Sequence, residues 1–330
     1  MKNRIYPKTI ALLITKQCTA QCEMCCFGCS PQSEEKMPIK YIEKVIEESV
    51  GIEDIETIGF SGGEPFLEYS NLLKMCKFAK EKNKKVICTS NGFWGTTYDR
   101  TLKIVSEIRE AGLSRLSLSV DQFHGEYISI NKIKNILKAS REVGLAVDIG
   151  SVITKSKSKL AGIFDELAEE MINVPHYTAA CLPVGNANYL IDKSDLIYDD
   201  YIFKRSNRCF ETSYFAIFPN GDVFPCCSQA GATKPLKIGN VQIQSLSELY
   251  RKYNSNMNIR ILKTKGLNWY LDFAGKLGYE DFFKRKYVNK CDLCRNIFSN
   301  IKFMNDIVPY IEEEKKKIFE KYCETIKKND

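Results

Sequence analysis

The sequence predicts an α/β fold: a partial (β/α)6 barrel with a smaller cysteine-bearing domain behind it. Two observations lead there. From residue 9 to about 182, apolar β-branched runs alternate with amphipathic stretches of helical period, the pattern of βα units and a parallel sheet. After Pro183 that pattern stops, and a polar connector leads into a segment with its own cysteines and turn signals.

Six strands are predicted, at 9–15, 57–61, 85–90, 115–121, 146–154 and 174–182. Between them, 39–50, 70–81, 98–111, 130–143 and 160–171 carry apolar residues at helical spacing. Groups that do chemistry are expected on the loops after the strands. Beyond the connector, Tyr214 to Phe218 and Asp222 to Phe224 form a predicted hairpin about Pro219-Asn220-Gly221, because Asn-Gly accepts the positive φ of a tight turn. A helix from about Ser247, an aromatic-rich stretch (Trp269, Tyr270, Phe273, Phe282, Phe283) and a charged terminal helix complete the chain. The predicted division is 1–185 barrel, 186–208 connector, 209–300 second domain and 301–330 C-terminal helix.

The 330 residues, 44% hydrophobic and 27% charged, have the composition of a soluble globular protein. No apolar run reaches membrane-spanning length, and Lys2, Arg4 and Pro7 do not make a signal peptide, so the chain is expected in the cytoplasm, off the membrane. A net charge of +7 spread among mixed Lys and Glu is read as a solvated surface, with no nucleic-acid partner. Fourteen cysteines without an export signal point instead to metal or redox chemistry.

Their spacing carries that chemistry. Cys18, Cys22 and Cys25 stand at C-x3-C-x2-C spacing just after the first strand. Three thiolates on one short loop can hold three irons of a four-iron cluster and leave the fourth open to chelate a small molecule. A zinc site using Cys26 or Cys29 as fourth ligand, or plain buried thiols, is the alternative. Ser61-Gly62-Gly63-Glu64-Pro65 follows the second strand, where glycines let backbone approach a ligand and a carboxylate can accept from an ammonium group.

With these motifs in place the sequence resembles the radical S-adenosylmethionine (SAM) superfamily. The resemblance covers the first half and implies a SAM-binding 4Fe-4S cluster on Cys18, Cys22 and Cys25. It implies SAM contacts from Met24 (beside adenine) and from Gly62, Gly63 and Glu64 (about the amino group). Ser90 and Asn91, ending the third strand, and Ser119 and Asp121, ending the fourth, stand where the family contacts ribose and methionine. Alternation places Ser117, Ser119 and Asp121 on one face of that strand. His124 reads as a plain loop histidine.

Cys209, Gly221, Cys226 and Cys291-x2-Cys294 resemble the auxiliary-cluster extension of peptide-modifying radical SAM enzymes. Asn300 stands where the full extension has a further cysteine, which implies the shortened, twitch-type form with one auxiliary cluster. Cys209, Cys226, Cys291 and Cys294 would ligate a second 4Fe-4S cluster, with a zinc ribbon as the alternative. Cys227 is then left over. Adjacent residues of an extended chain point opposite ways, so Cys227 should face away from that cluster, toward the barrel mouth, where a thiol is a hydrogen-atom donor.

The whole chain looks like the epipeptide-forming peptidyl epimerases through Cys25-Cys26-Phe27-Gly28-Cys29-Ser30-Pro31, Ser90-Asn91-Gly92-Phe93-Trp94-Gly95, Pro225-Cys226-Cys227-Ser228, Trp269 and the region around Cys291 to Phe298. That resemblance implies a ribosomally made precursor peptide as partner, inversion of residues such as Val or Ile, Cys227 as catalytic donor, and a reducing partner such as flavodoxin or ferredoxin. A radical SAM crosslinking enzyme forming thioether or carbon-carbon bonds is the competing class, and a cluster-binding protein that only sequesters a partner the non-catalytic one. With the first strand at residue 9, no leader-binding domain is expected ahead of it. Cys76, Cys88 and Cys323 are expected to pack, Cys181 to approach the site, and Cys26 and Cys29 stay open between packing and a supporting redox role.

Overall fold

A computed structural model describes residues 7–204, 207–209 and 214–327, without the side chains of 321–327. Positions 205 and 206 of the expected connector, 210–213 ahead of the hairpin, the end of the terminal helix at 328–330 and the side chain of Cys323 lie outside the described residues.

Nine strands form one sheet: β1 (Thr9–Thr15), β2 (Thr57–Gly62), β3 (Lys85–Ser90), β4 (Leu113–Ser119), β5 (Ala146–Ile153), β6 (His176–Ala180), β7 (Tyr214–Ile217), β8 (Asp222–Phe224) and β9 (Gly239–Asn240). Their order is β6-β5-β4-β3-β2-β1-β7-β8-β9. The first six are parallel in sequence order, as βα units dictate. The hairpin is not a separate sheet: β7 lies parallel to β1, Thr9 opposite Tyr214, so the second half of the chain extends the barrel beyond its first strand.

Helices α1 (Ile39–Ser49), α2 (Tyr69–Glu81), α3 (Tyr98–Glu110), α4 (Gln122–Gly125), α5 (Ile130–Val143), α6 (Ala161–Leu167) and α7 (Ala187–Leu190) accompany these strands. The long ones bury one stripe each. In α1 it is Ile42, Val45, Ile46 and Ser49, and in α2 Leu72, Met75, Cys76 and Ala79, at i, i+3, i+4 and i+7. These pack on Ile10, Leu12, Ile58, Phe60, Val86, Cys88 and Leu116, all buried. Cys76 and Cys88 are therefore core residues, as their positions predicted. α5 stops at Gly144, which takes the left-handed conformation at φ 75° that ends helices.

Three local expectations shift. β4 is displaced two residues toward its start, because Asp121 leaves the ladder to cap α4, its carboxylate accepting from the His124 N–H at 2.9 Å. α6 ends at Leu167, because Ala168 turns to φ 39° and the i→i−4 ladder cannot continue, leaving a short 3-10 turn to Met171. In the hairpin, only Gly221 adopts positive φ (83°); Pro219 cannot, so the turn closes through the Gly221 N–H to Phe218 carbonyl bond at 2.8 Å.

Beyond β9 lie α8 (Leu246–Ser255), α9 (Met257–Thr264), α10 (Asn268–Lys276), α11 (Glu280–Phe283), α12 (Lys290–Ser299), α13 (Ile301–Asp306) and α14 (Val308–Lys327). The expected terminal helix is thus two, α14 restarting with Pro309 in its first turn, where a missing N–H costs nothing. The aromatic stretch forms a second core of Trp269, Tyr270, Phe283, Tyr287, Phe298 and Phe303, while Phe282 stays outside it. Among the described residues no helix is long and apolar enough to cross a membrane.

Candidate active site

The loop after β1 closes on itself before it can present cysteines. The Cys18 N–H donates to the Ser30 carbonyl at 3.1 Å and the Ser30 N–H to Lys16 at 3.2 Å, pinning both ends, and the Cys25 N–H to Cys22 carbonyl bond at 3.1 Å makes a turn between. Cys18, Cys22 and Cys25 line one cavity of about 290 Å3, together with Met24. Burial pushes the Cys18 thiol up to about 11 and the Cys22 thiol up to about 12. Cys25 differs: the Cys29 thiol, opposed by burial and helped by the N–H groups of Cys29, Phe27 and Gly28, holds it below the ordinary thiol value. The backbone N–H of Cys29 reaches the Cys25 sulfur at 3.4 Å. Cys29 is itself buried and lines the same cavity beside Cys25.

The opposite wall comes from the ends of β2, β3 and β4: Gly62 and Gly63, Ser90 and Asn91, and Ser119, with His124 beyond. The glycines are required by packing as much as by any ligand. A Cβ on Gly62 would lie 2.3 Å from the Thr15 carbonyl oxygen, and one on Gly63 2.0 Å from that of Gln17. The Gly63 and Glu64 N–H groups donate to those same two carbonyls at 2.6 and 2.9 Å, fastening the turn to the root of the cysteine loop.

Two expected SAM contacts are corrected. Glu64 does not present its carboxylate to the cavity: it is wholly buried and accepts from the N–H groups of Phe66 (3.0 Å) and Asn91 (2.7 Å) and from the Ser90 hydroxyl (3.0 and 3.1 Å). Asp121 is likewise set back, 1% exposed, bonded to the His124 ring at 2.9 Å and to the Val152 N–H at 3.0 Å. Burial alone would raise the Asp121 carboxyl, but the His124 and Val152 bonds win and hold it below its ordinary value. Both carboxylates thus hold neighbouring segments of the wall together through these bonds. His124, read as a plain loop residue, is on the wall instead.

Ser90 and Asn91 line the cavity with their polar atoms already engaged. The Ser90 hydroxyl accepts from the Trp94 indole N–H at 3.0 Å, and Asn91 Nδ2 donates to Thr19 Oγ1 at 3.0 Å and lies 3.5 Å from the Cys18 sulfur. Asn186, which the sequence reading passed over, holds the cysteine loop from the far side, through its N–H to the Cys25 carbonyl (2.9 Å) and its side chain to the Cys22 carbonyl (3.1 Å). Gly185 before it sits at φ 60°, where a Cβ would be 2.3 Å from the Cys26 carbonyl oxygen. That Gly-Asn pair after β6 was the available signal.

Cys209, Cys226, Cys291 and Cys294 line a second, otherwise largely apolar cavity with Leu236, Leu262 and Leu267. Cys291 and Cys294 stand one turn apart at the start of α12, which Asn289 caps by accepting from the Cys291 N–H at 2.8 Å. Among the described residues no group of three or more His, Cys, Asp or Glu side chains draws together as for a single metal ion. Space for sulfur is reserved: a Cβ on Gly231 would lie 2.4 Å from the Cys226 sulfur. The donor set fits an iron-sulfur cluster held at its corners by four thiolates. Cys226 is buried in this ring, whereas its neighbour Cys227 is exposed and outside it, its charge felt by Cys26 of the first cysteine loop and by Tyr177 of β6.

The sequence profile of the radical SAM superfamily matches residues 12–155. This stretch is a radical SAM domain. A second profile, SPASM, described as an iron-sulfur cluster-binding domain, matches residues 209–296. The radical SAM domain binds a 4Fe-4S cluster and SAM, and the SPASM domain binds iron-sulfur clusters of its own. Over 313 residues the chain is 28% identical to YydG of Bacillus subtilis (strain 168), a protein named for peptide biosynthesis, covering 94% of this chain and 98% of that one. Likeness to the GTP 3',8-cyclase of Helicobacter pylori (strain HPAG1) is 26% over 159 residues, 44% of this chain and 47% of the cyclase. The structure of anSMEcpe with bound AdoMet shares the fold at a TM-score of 0.53 and 16% identity, covering 93% of this chain and 94% of that one.

Gly231→Ala is expected to damage the second cysteine ring alone. The added methyl competes with the Cys226 sulfur for space, so iron in the reconstituted protein should fall by about half, one four-iron cluster of two. Iron and sulfide assays check it, with the SAM-responsive electron paramagnetic resonance signal retained.

Proposed function

We propose that this chain inverts L-residues, Val or Ile, within a ribosomally made peptide to their D-forms. Cys18, Cys22 and Cys25 hold the SAM-binding cluster, and Cys209, Cys226, Cys291 and Cys294 the auxiliary one. Met24, Gly62, Gly63, Ser90, Asn91 and Ser119 enclose SAM, with Glu64 and Asp121 bracing that wall. When bound, cluster and SAM supply an adenosyl radical able to remove an α-hydrogen. What the chain adds is a hydrogen atom from Cys227 Sγ, delivered to the opposite face of the planar carbon. The S–H bond breaks, a C–H bond of inverted configuration forms, and one electron from a low-potential flavodoxin or ferredoxin together with one proton from solvent restores the thiol.

One observation carries this reading: of two adjacent cysteines, Cys226 is buried in the four-thiol ring while Cys227 is exposed and outside it. Likeness to YydG along nearly the whole chain supports a peptide as substrate. Incubation of the reconstituted enzyme with the peptide encoded beside its gene tests it. The expected product keeps its mass in light water and gains a deuterium per inverted residue in heavy water. A product lighter by two hydrogens would identify a crosslinking enzyme and overturn the proposal.

A further inference from the structure

Among the described residues β6 is an edge strand, paired with β5 on one side only. The Ile149 N–H donates to the Pro175 carbonyl and the Cys181 N–H to the Ile153 carbonyl, each at 2.9 Å, so the odd-numbered residues carry the ladder to β5. By alternation His176, Thr178 and Ala180 turn their N–H and C=O groups toward the open side. Residues 176–179 are exposed, the strand His176–Ala180 contains neither Lys nor Pro, and its register with β5 runs without a bulge. Charge, proline and bulges are what keep an edge from accepting another strand, and this edge has none of them.

Each end of β6 opens on a cavity. At its C-terminal end Ala179, Ala180 and Leu182 belong to the wall of the SAM cavity. At its start, Val174 and Tyr177 line a second cavity of about 740 Å3 with Leu137 and Ile172. Ser140 and Asp148 also line it, and each has a buried oxygen, Ser140 Oγ and Asp148 Oδ1, without a hydrogen-bond partner. Ser140 is 1% exposed. Five residues of strand span roughly 16 Å. A chain laid along β6 therefore reaches from the second cavity to the reacting centre.

We propose that the free edge of β6 is where the substrate docks: an extended segment of the precursor peptide adds to it as a further strand through main-chain hydrogen bonds. About five residues from the reacting position, an aliphatic side chain enters the second cavity and peptide N–H groups meet Ser140 and Asp148. This rests on the reading of the substrate as a peptide, not on the stereochemistry of the product.

The test uses the reconstituted holoenzyme with SAM, without oxygen, and a fluorescein-labelled synthetic peptide of the sequence encoded beside the gene. Thr178→Pro removes one outward N–H, and Ile172→Arg puts a long charged side chain in place of an exposed apolar one in the cavity at the start of β6, which Arg115, Arg141, Asp148 and Glu170 also line. Each is expected to raise the Kd at least about tenfold in anisotropy titrations, and the peptide should slow amide exchange at Thr178 and Ala180. Unchanged affinity in both variants overturns the docking, as does protection of those amides without peptide that grows with protein concentration, which would make a second copy the occupant. If the amides are protected but the product is not inverted, docking stands and the proposed reaction falls.

Discussion

Cys227→Ala is expected to consume SAM and release 5'-deoxyadenosine yet yield no D-residue, a loss of at least about a hundredfold in inverted product. The variant leaves all four cysteines of the ring in place, because Cys227 is exposed and does not line that cavity, so iron and sulfide content should match the parent chain. Removing the α-hydrogen needs nothing from this side chain, whereas returning one to the opposite face does. Cys227→Ser should not rescue, because the O–H bond is too strong to yield its hydrogen to a carbon radical. Cys226→Ala makes the contrast, since it should lose iron from the auxiliary site along with the product. Hydrolysis and chiral separation of the amino acids, beside chromatography of 5'-deoxyadenosine, read both halves. Normal inversion with deuterium uptake in Cys227→Ala would remove the thiol from the reaction.

The parallel strands were legible because each is a short apolar run bounded by polar turns, and β1, β3 and α5 fall where periodicity puts them. The pairing of β7 with β1 was not, because Asn220-Gly221 announces a turn and says nothing about which strand lies beside it. The same divide runs through the site. Spacing alone gathers Cys18, Cys22 and Cys25 on one loop, and Cys226 lines the four-cysteine cavity while Cys227 does not, although the strand has ended at Phe224 and the two stand in a bend. Where a carboxylate points is decided by partners far off in sequence: Glu64 meets Ser90 and Asn91, and Asp121 meets Val152. Asn186 reaches back to Cys22 across 164 positions, so the Gly-Asn pair after β6 marks a turn without naming its partner.

Glu64→Ala should destabilise the chain even without SAM or iron, which a residue serving only as a ligand contact would not do. Three buried donors, the Phe66 and Asn91 N–H groups and the Ser90 hydroxyl, lose their acceptor. At roughly 1–3 kcal/mol for each buried group left unsatisfied, a loss of about 3–5 kcal/mol is expected in urea unfolding of the metal-free protein. The damage should pass to the cysteine loop, because Asn91 bonds Thr19 and approaches the Cys18 sulfur. A pH signature separates this role from mere packing. Burial pushes the Glu64 carboxyl up to about 7 from an ordinary 4.5, against the pull of Asn91, Phe66 and Ser90. Between those values the folded chain keeps a proton that the unfolded chain has released, so this group's contribution is complete below about 4.5 and is lost as pH rises through about 7. At about 1.4 kcal/mol per pKa unit the decline approaches ~3 kcal/mol. Glu64→Gln, which cannot titrate, should therefore lose less relative to the parent chain at pH 8 than at pH 5, and an equal deficit at both would show that the carboxyl ionises normally inside the fold.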